Sequence, residues 1–237
     1  AAPVAVASAH PQATAAGIAV LEQGGNAFDA AVAVSATLAV VEPFSSGLGG
    51  GGFWLLHRAR DDHDVMIDGR ETAPSAAHAR MYQDARGEVV PGRSIDGALA
   101  AAIPGAPAAL AHLAERYGRL PLAVSLAPAI TAARDGFVVT PHYRRLAQFR
   151  LASLRASPAA AAVFLDGGEV PAPGSRIRQP ALADTLERLA SHGRAGFYEG
   201  ELAARLVEGA RAAGGIWTLA DLRDYRVIER APLRGEY

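Results

Sequence analysis

The sequence contains no cysteine. Disulfides, thiol catalysis and cysteine-ligated metals are excluded with it, and the redox compartment cannot be read. Lysine is missing too, since all 23 basic residues are arginine. That removes Schiff-base chemistry and the phosphate-binding lysine of a P-loop. Neither sign of charge is in excess: the formal net charge is −1. Such a balance gives no electrostatic case for nucleic acid or an anionic membrane as partner. A long apolar run is also lacking. The most apolar stretch, Ala27–Val41, is interrupted by Asp29 and falls short of the roughly 20 residues that span a bilayer. The opening Ala1-Ala2-Pro3-Val4 has no basic region and no extended apolar core. No secretory signal is expected there, which suits a cytosolic protein or a mature chain after signal removal.

What is present is ordinary globular composition, 50% hydrophobic and 20% charged over 237 residues, enough for one large domain or two small ones. Alanine and arginine richness is best read as coding bias. Val4–Ser8 reads as a short buried strand. Gln12–Gln23 reads as a helix, with Ala13, Ala16 and Val20 at helical spacing and Gly24-Gly25 as its stop. Asn26 then caps a second helix, with Asp29 three residues on, running to about Val41. That helix is small and apolar on nearly every face, the pattern of a helix buried on several sides. Glu42–Gly52 is a glycine-rich loop. Phe53–Arg58 and Asp64–Ile67 read as a hairpin of two core strands. Further helices fit Pro107–Tyr117, Leu122–Asp135, Pro141–Leu154, Ala181–Ser191, Tyr198–Ala213 and Thr218–Asp224, the last with a Thr218/Asp221 cap. Leu165–Gly174 is the clearest loop. It is a candidate divide between two lobes, without a linker-like shift in composition.

Gly47-Leu48-Gly49-Gly50-Gly51-Gly52 satisfies G-x-G-x-x-G, but its context is reversed for a dinucleotide site. A helix precedes the glycines and a strand follows, so no helix N-terminus meets a phosphate. The better reading is a turn where another backbone or a ligand comes close. His57, Asp61, Asp62, His63 and Asp64 carry metal-ligand chemistry, yet they sit on an exposed turn and do not converge; no metal is expected. Ser45-Ser46-Gly47 lacks the strand-to-helix setting of a nucleophile elbow. Arg144, Arg145, Arg150 and Arg155 read as a solvated helix face.

Asp68-Gly69-Arg70-Glu71 closes the strand that begins near Val65. A guanidinium at a strand end is a rigid fork able to hold a carboxylate by two parallel hydrogen bonds. There is an alternative. If the strand persists, Asp68 and Arg70 share a face and simply pair, and residues alone favour that ion pair. Glu71, on the opposite face, reads as a solvent group or a hydrogen-bond anchor.

The order of segments resembles the γ-glutamyltranspeptidases. The resemblance rests on residues 4–11 (VAVASAHP), 24–33 (GGNAFDAAVA), Val41-Glu42-Pro43, 46–53 (SGLGGGGF) and 68–74 (DGRETAP). It continues through Pro104-Gly105, Tyr117-Gly118, 133–137 (ARDGF), Gly196-Phe197-Tyr198 and Asp221-Leu222 with Tyr225. No single piece decides it; the ordered set from Val4 onward does. The resemblance implies an α+β fold, the Ntn-hydrolase αββα sandwich, here represented by its large-subunit portion and rich in helices. Residues 1–237 would be one partial domain, incomplete without downstream strands and the small subunit. Family precursors cut themselves in two. The new N-terminal threonine of the small subunit attacks a γ-glutamyl amide, its own α-amine serving as base. Water, an amino acid or a peptide then takes the γ-glutamyl group from the acyl-enzyme. No metal or organic cofactor is implied. The implied partners are the small subunit, a γ-glutamyl donor such as glutathione, and the acceptor.

By position, Arg70 matches the family arginine that binds the donor α-carboxylate, and Gly49–Gly52 matches a structural loop. No catalytic residue is expected in this chain. None of Thr14, Thr37, Thr72, Thr131, Thr140, Thr185 and Thr218 sits in the nucleophile motif, and Ala1 is no N-terminal nucleophile. The chain stops at Tyr237, before the family's large subunit does, and alone it is expected to be inactive. A periplasmic or secreted location is implied by the resemblance, while the residues leave a cytoplasmic one open. Two alternatives accompany this reading: a cephalosporin (glutaryl) acylase on the same scaffold, and a non-catalytic, family-derived binding protein.

Overall fold

The structure, a computed structural model, describes residues 4–236; the expectations that rest on Ala1, Ala2, Pro3 and Tyr237 lie outside the described residues. These form two compact units, one from residues 4–47 and 113–191 and the other from 48–112 and 192–236. The Leu165–Gly174 loop does not divide them, since it lies wholly within the first.

The first unit is helical. Helix α1 (Pro11–Glu22) starts at His10, whose Nδ1 accepts the Gln12 N–H at 3.2 Å. Pro11 occupies the first turn, where its missing N–H has no intrahelical partner to lose. Gly24, at φ +91°, ends the helix. Helix α2 (Ala27–Val41) opens with a reciprocal capping box: Asn26 accepts the N–H groups of Phe28 and Asp29, and Asp29 accepts the N–H of Asn26. Small residues let the two helices approach. Ala16, Val20 and Ala33 form a buried cluster with Leu120 packed on it. The expected strand at Val4–Ser8 does not form a ladder. Val6 instead lies half-buried against Gly17 of α1, while Val4, Ala5 and Ala7 are exposed.

Helix α3 (Ala106–Tyr117) and helix α4 (Leu122–Asp135) follow. Helix α4 packs on α2 and ends at Gly136, whose φ of +85° would strain any residue with a side chain. A two-residue ladder joins β3 (Phe137–Val138) to β4 (Arg176–Ile177). The helix expected over Pro141–Leu154 is broken into α5 (Pro141–Phe149) and α6 (Leu151–Ala156). The break falls at Arg150, whose φ of −102° and ψ of 12° leave the helical region, with Phe149 exposed on one side of it and Leu151 buried on the other. Helices α7 (Pro158–Phe164) and α8 (Pro180–His192) complete the set.

The second unit holds a three-stranded antiparallel sheet of order β1 (Gly52–Arg58), β2 (His63–Gly69) and β5 (Ile228–Arg230). The β1–β2 hairpin turns through Asp62, which adopts φ +49°, a region that aspartate tolerates better than most residues. Burial is one-sided. Val65, Ile67 and Leu56 are buried, but Phe53 and Leu55 are 56% and 71% exposed, so β1 is not the core strand expected. Strand β5 has no apolar alternation. It is joined to β2 and α3 by polar pairs, Arg230 with Asp68 at 2.7 Å and His112 with Glu229 at 2.7 Å.

The helix expected over Tyr198–Ala213 is α10 (Gly200–Ala212), preceded by a short helix that was not expected, α9 (Ala195–Tyr198). Gly200 turns the chain at φ +69°, and Tyr198 is pinned by its own hydroxyl contacts, described below. Helix α11 (Leu219–Asp224) carries the expected Thr218/Asp221 capping box. No helix among the described residues is long and apolar enough to cross a membrane.

Candidate substrate-anion site

Strand β2 ends at Gly69, so Arg70 is the first residue past it. The main chain of Arg70 is tied on both sides. Its N–H donates to Asp68 Oδ1 at 3.1 Å, and its carbonyl accepts the Tyr225 hydroxyl at 2.8 Å. Glycines make this possible. A Cβ on Gly51 would strike the Gly69 carbonyl oxygen and the Arg70 Cα, and one on Gly105 would strike the same carbonyl and the Tyr225 hydroxyl. The glycine-rich loop and the Pro104-Gly105 turn are also joined directly, since Gly50 O accepts the N–H groups of Gly105 at 2.9 Å and Ala106 at 3.0 Å. The reversed GxGxxG is thus a backbone-packing device around the root of Arg70.

The side chain behaves differently from its root. It is 55% exposed. Its Nε lies 3.2 Å from Glu71 Oε2, and its Cζ sits 5.9 Å from the centre of the Phe53 ring. The two terminal amino groups have no hydrogen-bond partner among the described residues. Glu71 is therefore an ion-pair neighbour and not a solvent group.

The Asp68–Arg70 pair that residue chemistry favoured is not made. The strand stops before Arg70, and Asp68 Oδ2 is taken by Arg230 Nε at 2.7 Å. Burial pushes the Asp68 carboxyl up, but the Arg230 hydrogen bond, the Arg70 N–H and both arginine charges outweigh it and hold the group below its ordinary value.

A second tier supports the Tyr225 hydroxyl. The Tyr225 ring stacks on Tyr198 at 5.6 Å and 11°. The Tyr198 hydroxyl donates to Pro104 O at 2.8 Å and accepts the Ala108 N–H at 3.3 Å. Arg194 lies with its Cζ 4.8 Å from the Tyr198 ring and donates to the carbonyls of Leu222, Arg223 and Tyr225. Asp221 accepts the Ser75 N–H at 2.8 Å, joining α11 to the segment that follows Arg70. Tyr225, Arg230 and Arg194 were not singled out from sequence. Only the Tyr225 position within the family-like run hinted at one of them.

Of the residues considered for metal, His57 pairs with Asp64 at 2.8 Å, and Asp61 pairs with Arg58 at 2.7 Å. Arg234 also pairs with Asp64. In the basic stretch, Arg155 pairs with Glu169 and Arg145 contacts His142 at 2.8 Å.

The γ-glutamyltranspeptidase family model matches residues 13–237. The chain belongs to the γ-glutamyltranspeptidase family. It is 40% identical to a glutathione hydrolase proenzyme of a Pseudomonas species over 93% of its own length and 38% of the relative's. It is 41% identical to an acylase proenzyme of another Pseudomonas strain, over 96% of this chain and 42% of that one. Among solved structures, Helicobacter pylori γ-glutamyltranspeptidase superposes with a TM-score of 0.95 at 36% identity, covering 99% of this chain and 67% of that one. The chain thus spans about two-fifths of the curated relatives' length. The α+β architecture of this γ-glutamyltranspeptidase-family chain, with helices dominant over two small sheets, is the Ntn-hydrolase class expected.

Proposed function

We propose that this chain is the large-subunit portion, one partial domain over residues 1–237, of an enzyme that cleaves γ-glutamyl amides and passes the γ-glutamyl group to water, an amino acid or a peptide. In this reading Arg70 holds the α-carboxylate of the donor, glutathione being the representative substrate. The observation that carries it is the contrast within Arg70: a root fixed by Asp68 and Tyr225, and a tip whose two amino groups have no hydrogen-bond partner among the described residues. Two parallel charge-assisted bonds to a carboxylate are worth roughly 1.5–3 kcal/mol each. They are made without first breaking an internal ion pair to Asp68, whose carboxylate Arg230 already occupies. Fixing the carboxylate end sets where the amide carbonyl at the other end lies, which is the positional advantage a nucleophile needs.

The attack belongs elsewhere. A threonine at the N-terminus of a small subunit forms the acyl-enzyme, with its own amine as base and no metal or cofactor in the step. A precursor that processes itself and a periplasmic or secreted location go with the same reading; the glutathione hydrolase and acylase relatives being proenzymes supports the first.

The test is Arg70→Ala in the complete enzyme. The donor KM should rise about tenfold or more, with kcat changed less. Unchanged donor kinetics would overturn the assignment.

A second reading, a glutaryl acylase, is supported by the acylase relative at 41% identity. Glutaryl and γ-glutamyl groups share the distal carboxylate and differ in the α-amine, so Arg70 serves both. Turnover of a γ-glutamyl anilide and a glutaryl anilide side by side separates them, and preference for glutaryl would displace the first reading.

A further inference from the structure

We propose that Tyr225 is a positioning residue for donor binding, acting through its hydroxyl on the main chain of Arg70. The inference rests on Arg70 being the donor-carboxylate arginine. A guanidinium fork is useful only if its root is still, because an arginine side chain otherwise spreads its tip over many rotamers. Two bonds hold that root, and they differ in kind. Asp68 is a local contact two residues away, whereas Tyr225 reaches the Arg70 carbonyl from 155 positions along the chain.

The hydroxyl has been placed with some care. Tyr225 is only 4% exposed, its ring is stacked on Tyr198, and Tyr198 is itself pinned at Pro104 O and Ala108 N–H. Gly105 leaves room for the Tyr225 oxygen where any Cβ would collide with it. The only hydrogen bond that this oxygen makes among the described residues is the one to Arg70 O. Phenylalanine would fill the same space and make the same stack, so the ring alone does not account for tyrosine here. Burial and the nearby Asp68 and Glu71 charges push the hydroxyl up to about 12, so it stays a donor at any working pH.

The experiment uses the complete two-subunit enzyme with Tyr225→Phe, Arg70→Ala and the double variant. Two donors share one leaving group: γ-glutamyl p-nitroanilide, and 4-aminobutyryl p-nitroanilide, which lacks the α-carboxylate. Where the second turns over too slowly, its inhibition constant against the first is measured. Tyr225→Phe should raise the γ-glutamyl KM by roughly two- to tenfold, the span of one lost hydrogen bond, with kcat within about twofold. It should leave the decarboxylated donor unchanged and add nothing in the Arg70→Ala background. A merely structural tyrosine would move both donors alike and keep its effect in the double variant; that result, or an unchanged γ-glutamyl KM, overturns the proposal. If Arg70→Ala leaves the γ-glutamyl KM unchanged, the carboxylate reading itself has failed, and the Tyr225 inference falls with it.

Discussion

Asp29 in the first unit and Arg70 in the second are charged residues in short, family-typical runs, and the fold treats them in opposite ways. Asp29 is 0% exposed. Its oxygens accept N–H groups from Asn26 at 2.8 Å, Arg119 at 2.9 Å and Leu120 at 3.3 Å, which ties the start of α2 to the turn after α3. Arg70 pairs with Glu71 only through Nε, its two terminal amino groups have no hydrogen-bond partner among the described residues, and its side chain is exposed. A buried charge with all its bonds made has its capacity spent on the fold. A charge with a fixed root and bonds left over has capacity for a ligand. The distinction lies in hydrogen-bond accounting and not in residue type.

The largest effect that would sharpen this contrast is Asp29→Ala. It strips partners from several main-chain N–H groups in one buried place and should cost roughly 3–5 kcal/mol, read by denaturant unfolding of the full-length protein. Arg70→Ala in the same measurement should stay within about 0.5 kcal/mol. Comparable losses from the two would erase the distinction.

Glycines offer the next test, because the two units use them against different neighbours. A Cβ on Gly105 meets main-chain oxygen and a pinned tyrosine hydroxyl, whereas one on Gly17 meets the methyls of Val34 and Val6. Main chain tied by hydrogen bonds gives less than side-chain methyls. Gly105→Ala should therefore destabilise by roughly 2–3 kcal/mol and raise the donor KM along with it. Gly17→Ala gains up to about 1 kcal/mol of helix propensity against the strain and should end near neutral. A Gly17→Ala loss as large as that of Gly105→Ala would show that the helix pair is as unyielding as the loop lattice.

Much of this was open to a reader of the sequence, and the limits have physical causes. Helices α1, α2, α4 and α11 announce themselves through local chemistry: Asn26 with Asp29, Thr218 with Asp221, and a stop at Gly24 or Gly136. Strand β5 does not, because Ile228–Arg230 is held by ion pairs to residues far away in sequence. The Val4–Ser8 segment has strand composition but meets a helix. Arg70 was singled out by its place in an ordered set of motifs, while residue chemistry alone preferred a bond to Asp68 that Arg230 makes instead. Tyr225 stood in the family-like run, but the bond its hydroxyl makes to Arg70 could not be read from it. A bond across 155 positions leaves no local pattern.

The smallest effect separates the units by proton binding. Burial pushes Tyr143 in the first unit up to about 12. In the second, burial with the Asp68 and Glu71 charges pushes Tyr225 up to about 12, and burial raises Tyr198 further. For each, the folded value lies above the ordinary tyrosine value of 10. The folded protein therefore holds these protons more tightly than the unfolded chain. Their contribution to stability is complete below pH 10 and is lost as pH rises toward and past 12. Tyr198 and Tyr225 stack on one another in the second unit, and their loss of protons predicts a steep loosening of that unit with pH. Both tryptophans, Trp54 and Trp217, lie in the second unit, so their fluorescence reports on it while backbone circular dichroism reports on both. Between pH 9 and 12 the fluorescence change should lead the dichroism change, and Tyr225→Phe should bring the two closer together. Coincident curves in the unaltered protein would mean that the two units lose their structure as one.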